Sequence, residues 1–322
     1  MRAAGIALSC VLAACLATVA AARDREAEKA RTIRDLKPRS VEIRRDEPVE
    51  ASASKAMENY RRFLELQRTD PQLRAEAMRR LGDLSLEAGE LERIEKEASA
   101  LDLQGAEAIR LYSTLLQAYP DYPRNDQVLY QLARAYETTG QPEQALATLD
   151  RLVRSYPDSP QIDEVQFRRG ELLFSARRYA EAEDAYAVTI ARGRASPFYG
   201  QSLYKHGWSL FKQSLNEESL SSFAGVLDLE LLDGRGGQRR LEDLGRARRE
   251  LVEDTLRVMS ITFSYLDGPQ SIDAFLASRG PTPYSHLLYS RLGDLYVDKQ
   301  RYQDAAAAYR AYVARDPYSD HA

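Results

Sequence analysis

The chain has 322 residues, of which 44% are apolar and 29% are charged. The apolar content supports a sizeable core, and the charged content gives a soluble surface. The formal net charge of −4 is too small to indicate a nucleic-acid partner or an acidic membrane surface. Basic residues alternate with acidic ones along the chain, so there is no basic stripe for nucleic acid.

The first 22 residues predict an export signal. They carry one positive charge, an apolar run and small residues before Arg23. Ala20-Ala21-Ala22 fits ordinary signal peptidase, and this favoured interpretation gives a soluble periplasmic protein that starts at Arg23. Leu12-Ala13-Ala14-Cys15 resembles a bacterial lipobox, so the alternative is an outer-membrane protein with lipid on Cys15. An uncleaved anchor or a cytoplasmic form is a third interpretation.

Residues 23–52 predict a charged linker. They are dense in charge, and their sparse apolar residues have no period. Both cysteines, Cys10 and Cys15, precede this segment. The part of the chain after Arg23 therefore has neither a disulfide framework nor a thiolate metal site.

The stretch from Asn125 to Pro160 predicts two helices joined by a turn at Gly140-Gln141-Pro142. Apolar residues recur at the helical spacing i, i+3, i+4, i+7 on each side of the turn. With the proline that closes the unit, the pattern consists of Leu129, Leu132, Ala133, Tyr136, Ala145, Leu149, Leu152 and Pro157. This pattern resembles the tetratricopeptide repeat (TPR). Ala133 and Ala145 stand where the two helices cross closely, because a large side chain would force them apart.

The unit recurs with a period of 37 residues. In the first helix the series of small residues is Ala133, Gly170 and Gly207, and in the second helix it is Ala108, Ala145, Ala182 and Ser219. The usual TPR period is about 34. We therefore expect longer helix ends or turns in each unit.

Residues 53–322 are predicted to form a solenoid of about six repeats after a partial helix. At its start we expect a helix over Leu73–Ala88, a break at Gly89 and one long helix from Glu90 to Tyr119. The last unit matches the repeat pattern most cleanly. No polar capping helix is evident after it.

Residues 233–249 depart from the repeat pattern. The glycine-rich run that starts at Asp233 predicts an inserted loop, and clear helix periodicity returns at Glu250. A phosphate-binding loop is disfavoured, because no strand precedes the run and the Gly-Lys-Ser/Thr ending is absent.

No group of residues indicates catalysis. The three histidines, His206, His286 and His321, are scattered, and neither an HExxH motif nor a Cys/His pair at ligand spacing occurs. We find no nucleophile motif and no dinucleotide fingerprint. We expect a protein that is not an enzyme and has no cofactor or metal. The alternative of another class is an enzyme with its site in the 233–249 insertion.

The resemblance implies a groove for partners. In TPR arrays the first helix of each repeat lines a concave groove that binds proteins or peptide segments. The 37-residue phase places large aromatic residues there, with basic residues beside them, which can anchor a peptide and fix its polar groups. The candidate groove residues are Tyr130, Arg134, Phe167, Arg168, Phe174, Tyr204, Lys205, Trp208, Phe211 and Lys212.

The predicted fold is all-α, a right-handed superhelical solenoid of antiparallel TPR helix hairpins. The predicted function is a non-enzymatic protein–protein interaction scaffold or adaptor of the bacterial cell envelope. The opening segments PVEAS, AMENYRRFLEL and AEAMRRLGDLSLE are similar to the start of large bacterial envelope TPR proteins. Alternatives resemble the TPR lipoprotein of β-barrel assembly machinery, or the periplasmic TPR partner of the Tol–Pal division system. Repeat type and export signal cannot select among them.

Overall fold

The computed structural model describes residues 52–95, 103–233, 237–280 and 282–321. The predicted signal segment, Cys15 and nearly all of the predicted linker lie outside these residues. The described part contains thirteen α-helices and no β-strand, and this confirms the all-α prediction.

The helices are numbered in chain order. They are α1 (Ala53–Leu66), α2 (Pro71–Glu95), α3 (Leu103–Ala118), α4 (Asn125–Thr138), α5 (Pro142–Ser155), α6 (Ile162–Ser175), α7 (Tyr179–Ala191), α8 (Tyr199–Lys212), α9 (Asn216–Leu231), α10 (Arg246–Tyr265), α11 (Pro269–Arg279), α12 (Ser285–Asp298) and α13 (Tyr302–Arg315).

After α1 the helices follow one another as packed neighbours. The pairs α2/α3, α4/α5, α6/α7, α8/α9 and α12/α13 have extensive internal contacts, and each pair also packs on the next. In the remaining pair, α10 packs mainly against α9 and α12, while α11 touches α10 only slightly. The result is a solenoid of stacked helix pairs, with the fifth pair as its irregular member.

A left-handed residue closes the first helix of four pairs. Gly140 has φ +73°, and at the equivalent positions Arg177, Ser214 and Gln300 have φ values of 60°, 64° and 58°. In each case the next backbone N–H donates back to the first helix, as Gln141 N does to Tyr136 O at 2.8 Å. This is the Schellman arrangement, in which one residue adopts positive φ. The sequence signals it at Gly140, and the other three turns adopt it without glycine.

The predicted break at Gly89 is wrong. Gly89 is buried inside α2, which continues to Glu95, and α3 begins at Leu103; residues 96–102 lie outside the described ones. A glycine in a helix interior costs only about 1 kcal/mol relative to alanine. Packing outweighs that cost here, because Leu86 lies in the core and Glu90 pairs with Arg134 of α4.

The insertion is shorter than predicted, because α10 begins at Arg246 and not at Glu250. Arg249 fixes the preceding loop, since its guanidinium donates to three loop carbonyls. The acceptors are the carbonyl oxygens of Leu241 at 3.1 Å, Glu242 at 3.1 Å and Leu244 at 3.2 Å. The side chain of Leu244 is buried in the core. The loop is therefore attached to the helices at its C-terminal end.

Small residues in the first helices make room for rings from the second helices. A Cβ atom added to Gly170 would lie 2.5 Å from Cε1 of the buried Tyr186 ring. The same close approach occurs between Gly82 and Tyr112, between Gly207 and Phe223, and between Gly293 and Tyr309. In the α4/α5 pair the equivalent residues are Ala133 and Leu149, both fully buried in one cluster. Glycine is thus required where the opposing side chain is aromatic.

Candidate partner-binding face

The first helices α2, α4, α6, α8, α10 and α12 form what we call the first-helix face. Three carboxylates on this face accept hydrogen bonds from tyrosines of the second helices. The hydrogen bonds are Tyr112 Oη to Asp83 Oδ1 at 2.8 Å, Tyr186 Oη to Glu171 Oε1 at 2.5 Å, and Tyr309 Oη to Asp294 Oδ1 at 2.9 Å. Burial raises the pKa of each tyrosine, and the adjacent carboxylate raises it further. These phenols therefore stay protonated and act as fixed donors.

Tyr130 joins two neighbouring pairs. Its side chain is buried, its hydroxyl donates to Glu164 of α6, and it accepts from Arg168 Nε at 3.1 Å. The Arg168 guanidinium also lies 5.7 Å from the centre of the Tyr130 ring. Burial first, and the Glu164 carboxylate second, raise the pKa of Tyr130 to about 12. Tyr130 thus mainly joins one helix pair to the next, and little of its surface is available to a partner.

Carboxylates of the same helix or of a neighbouring repeat pair with three of the predicted basic residues. Arg168 Nε lies 3.1 Å from Glu164, and its Nη1 lies 3.5 Å from Glu137. The other two pairs are Arg134 with Glu90 at 2.5 Å and Lys205 with Glu171 at 2.9 Å. Lys212 differs, because it is exposed, forms no ion pair with a described residue and lies 5.7 Å from the Trp208 ring. Of the four, Lys212 is the most available cation.

Phe167 and Phe174 are partly buried at two separate places on the first-helix face. Phe167 stacks on Phe198, with ring centres 5.2 Å apart and planes at 22°. Phe174 meets the edge of Tyr179 at 5.2 Å, and Lys205 Nζ lies 5.3 Å from its ring centre. Both rings keep part of their surface accessible to a ligand.

Tyr204, Trp208 and Phe211 form one connected group on α8. Tyr204 and Trp208 stand over the fully buried Phe223 at 6.3 and 6.2 Å, and Trp208 meets Phe211 at 5.6 Å. The Tyr204 hydroxyl donates to Asp254 of α10. The base of the group is therefore fixed to the core, which makes its outer surface rigid.

Tyr265, at the end of α10, extends this group and escaped sequence reasoning. Its ring is 67% exposed and stacks on Phe211, with centres 6.1 Å apart and planes at 12°. Tyr265 lies 54 residues after Phe211, so the 37-residue series of aromatic residues does not include it. We call Trp208, Phe211, Lys212 and Tyr265 the aromatic patch.

A second feature of the face is a cleft of about 300 Å³ between α4, α6 and the residue that precedes α8. We call it the acidic cleft. It is lined by Glu137, Glu164, Phe167, Arg168, Glu171, Leu172, Ser175 and Phe198. The structure thus brings the predicted residues Phe167 and Arg168 together with three carboxylates that the prediction did not include.

Two family models, each described as tetratricopeptide repeat, match the chain at residues 102–166 and 270–320. Both matches fall on helix pairs of the structure. The chain contains tetratricopeptide repeats.

The chain also matches several solved structures. The MamA protein is 16% identical over 73% of this chain and 92% of its own, with a TM-score of 0.37. A tetratricopeptide repeat protein from Parabacteroides merdae is 14% identical over 73% and 79%, with a TM-score of 0.42. A putative kinesin light chain from Podosopora anserina with TPR-like repeats is 14% identical over 65% and 94%, also at 0.42. No curated protein matches the sequence.

TPR domains generally bind other proteins or peptides, and they typically serve as scaffolds without enzymatic activity. A protein–protein interaction scaffold is therefore the functional class of this TPR protein. Among the described residues, no group of three or more His, Cys, Asp or Glu side chains could hold a metal ion.

The histidines of this TPR protein lie apart, except for one stacked pair. His206 is part-buried with Nδ1 2.9 Å from Ser222 Oγ, and burial lowers its pKa. His286 and His321 stack with ring centres 3.9 Å apart. In the ranges that the structure describes, none of the helices is long and apolar enough to cross a membrane.

Proposed function

We propose that this TPR protein binds a segment of a partner protein on its first-helix face, with the aromatic patch as the main anchor. The carrying observation is Tyr265, which is 67% exposed and stacked on Phe211. Rigid aromatic rings with an adjacent cation are typical of the residues that dominate binding energy at interfaces. Lys212 supplies that cation, since it has no ion-pair partner among the described residues.

The binding test begins with a display library of random peptides of about twelve residues, a length that can span several anchor positions. The full chain is the bait, and dissociation constants of selected peptides are then measured by fluorescence polarisation. The double substitution Tyr265→Ala with Lys212→Ala should weaken binding by about tenfold or more, as expected for a hot spot. Helical circular dichroism should not change, because both side chains are exposed.

The matched control is Tyr302→Ala, which removes an equally exposed ring (64%) from the second helix α13. It should leave the dissociation constants unchanged. Equal constants for wild type and the patch variant, or a library that yields no binding peptide, would contradict the proposed function.

The cellular setting of this function is also a proposal. The signal-like residues 1–22 support export, and we propose a scaffold or adaptor in the bacterial periplasm, with a lipid-anchored outer-membrane form as the alternative. The test is the intact mass of the mature protein from fractionated bacterial cells. A start at Arg23 in the periplasm supports the soluble form, and lipid on Cys15 in the outer membrane supports the alternative. An uncleaved Met1 in the cytoplasm would contradict both.

A further inference from the structure

The acidic cleft has an excess of negative charge. The carboxylates of Glu137, Glu164 and Glu171 line it. Two cations oppose them: Arg168 in the lining, and Lys205, which pairs with Glu171. Its apolar wall includes Phe167, whose ring stacks on Phe198. A site of this composition suits a cation with an apolar stem, because an aromatic face attracts a cation and a carboxylate pairs with it.

Two of the three carboxylates are already satisfied. Glu164 accepts from the Tyr130 hydroxyl and from Arg168 Nε at 3.1 Å. Glu171 accepts from the Tyr186 hydroxyl at 2.5 Å and from Lys205 Nζ at 2.9 Å. Neither carboxylate requires a ligand to complete its hydrogen bonds.

Glu137 is the exception. Its Oε2 atom lies 3.5 Å from Arg168 Nη1, which is a long contact, and Arg168 is shared with Glu164. Its Oε1 atom is shielded from solvent and accepts no hydrogen bond from any described residue. Burial also raises the pKa of Glu137 despite the neighbouring arginine. The Glu137 side chain is 27% exposed and is the most weakly paired carboxylate of the cleft, so it can accept a donor from a ligand.

The cleft lies one helix pair before the aromatic patch on the same face. Glu171 at its edge bonds to Lys205 of α8, which is less than one helical turn from Trp208. An extended segment anchored at the patch can therefore continue toward the cleft.

We infer that the acidic cleft receives an arginine or lysine side chain of the same partner segment, with Glu137 as its main counter-ion. The inference rests on the proposed function of the first-helix face. The volume of about 300 Å³ is at the small end for ligand pockets, as expected for one side chain and its adjoining backbone. A partner segment should therefore carry one basic residue at a fixed separation from its apolar anchors.

The test uses the highest-affinity peptide from the library and a copy in which citrulline replaces its arginine, or norleucine its lysine. These replacements remove the charge and keep the shape of the stem. With the wild-type full chain, the neutral copy should bind about tenfold more weakly, as for a desolvated charge pair. With Glu137→Gln, the two peptides should differ by less than about twofold.

Glu143→Gln is the matched control, because it removes an exposed charge from α5 outside the cleft. It should preserve the tenfold difference between the peptides. The inference is overturned if the selected peptides lack arginine and lysine, or if Glu137→Gln preserves the difference as well. In both of these cases the proposed function stands, provided that the patch variant still weakens binding. If the library yields no peptide, the proposed function and the inference fail together.

Discussion

In four of the first helices a glycine packs against an aromatic ring, and the residue that follows this glycine matches the ring. Where the ring is a tyrosine, the next residue is acidic, and it accepts the phenolic hydrogen bond. These triplets are Gly82, Asp83 and Tyr112; Gly170, Glu171 and Tyr186; and Gly293, Asp294 and Tyr309. Where the ring is Phe223, the residue after Gly207 is Trp208. Tyr112 and Tyr186 are fully buried, and a buried hydroxyl needs an acceptor, so the core decides the carboxylate at these two positions of the first-helix face.

The close approach of Gly170 to Tyr186 predicts a cost for any added side chain. We expect Gly170→Ala to destabilise the protein by about 1–3 kcal/mol, because the new Cβ would lie 2.5 Å from the buried ring. That clash outweighs the roughly 1 kcal/mol that alanine gains over glycine in helix propensity. Urea unfolding followed by circular dichroism measures the change.

The α4/α5 pair supplies a rescue for this variant. Ala133 and Leu149 occupy the two positions there, so Gly170→Ala with Tyr186→Leu should lose less stability than the two single changes added together. Gly225→Ala is the control, since its new Cβ would meet only the flexible end of Leu203 at 3.1 Å. Strictly additive losses in the double variant would refute the packing argument.

At the level of elements, the insertion before α10 leaves the stacking of first helices unchanged. Tyr130 bonds to Glu164, which is 34 residues further along, and Tyr204 bonds to Asp254, which is 50 residues further along. Both bonds join one first helix to the next. The additional residues therefore lie outside the stack, in the loop that Arg249 holds.

We predict that Arg249→Ala loosens this loop without unfolding the helices. The substitution leaves the carbonyls of Leu241, Glu242 and Leu244 without their donor. Trypsin should then cut after Arg239 or Arg240 roughly tenfold faster, because cleavage follows the population of the open loop. The control is Arg246→Ala, whose side chain is 92% exposed and, among the described residues, pairs with Glu250 alone. Equal cleavage rates in the two variants would show that Arg249 does not hold the loop.

At the level of the whole molecule, stability should be distributed along the array. Each pair packs on its neighbours, and repeat arrays unfold as a sum of local and nearest-neighbour contributions. Gly293→Ala introduces a Cβ against the Tyr309 ring and should increase amide hydrogen exchange in α12 and α13. Helices α2–α5 should keep their protection, as measured by mass spectrometry.

Gly82→Ala is the mirror variant, since it places a Cβ 2.7 Å from Cε1 of Tyr112. Its effect should be confined to α2, α3 and their nearest neighbours. Protection that falls uniformly through the chain in either variant would mean that the array unfolds as one cooperative unit, against this prediction.

The sequence predicts the helical repeat well because small residues and turns recur at a fixed period. It misplaces features that depend on neighbouring repeats. The local break signal at Gly89 is overridden by the packing of α2. Tyr265 is hidden because it lies outside the 37-residue series of aromatic residues. The phase shows that Arg168 is on the first-helix face, but it cannot show that Glu164 and Glu137 already surround it.

The bonds from Tyr130 to Glu164 and from Tyr204 to Asp254 have a mechanical consequence. Each hydrogen bond joins two adjoining repeats on the first-helix face, so it resists a change in the angle between those repeats. A bound segment must match the existing pitch of the array or break these hydrogen bonds. The face therefore selects partners by the spacing of their anchor residues as well as by the chemistry of those residues.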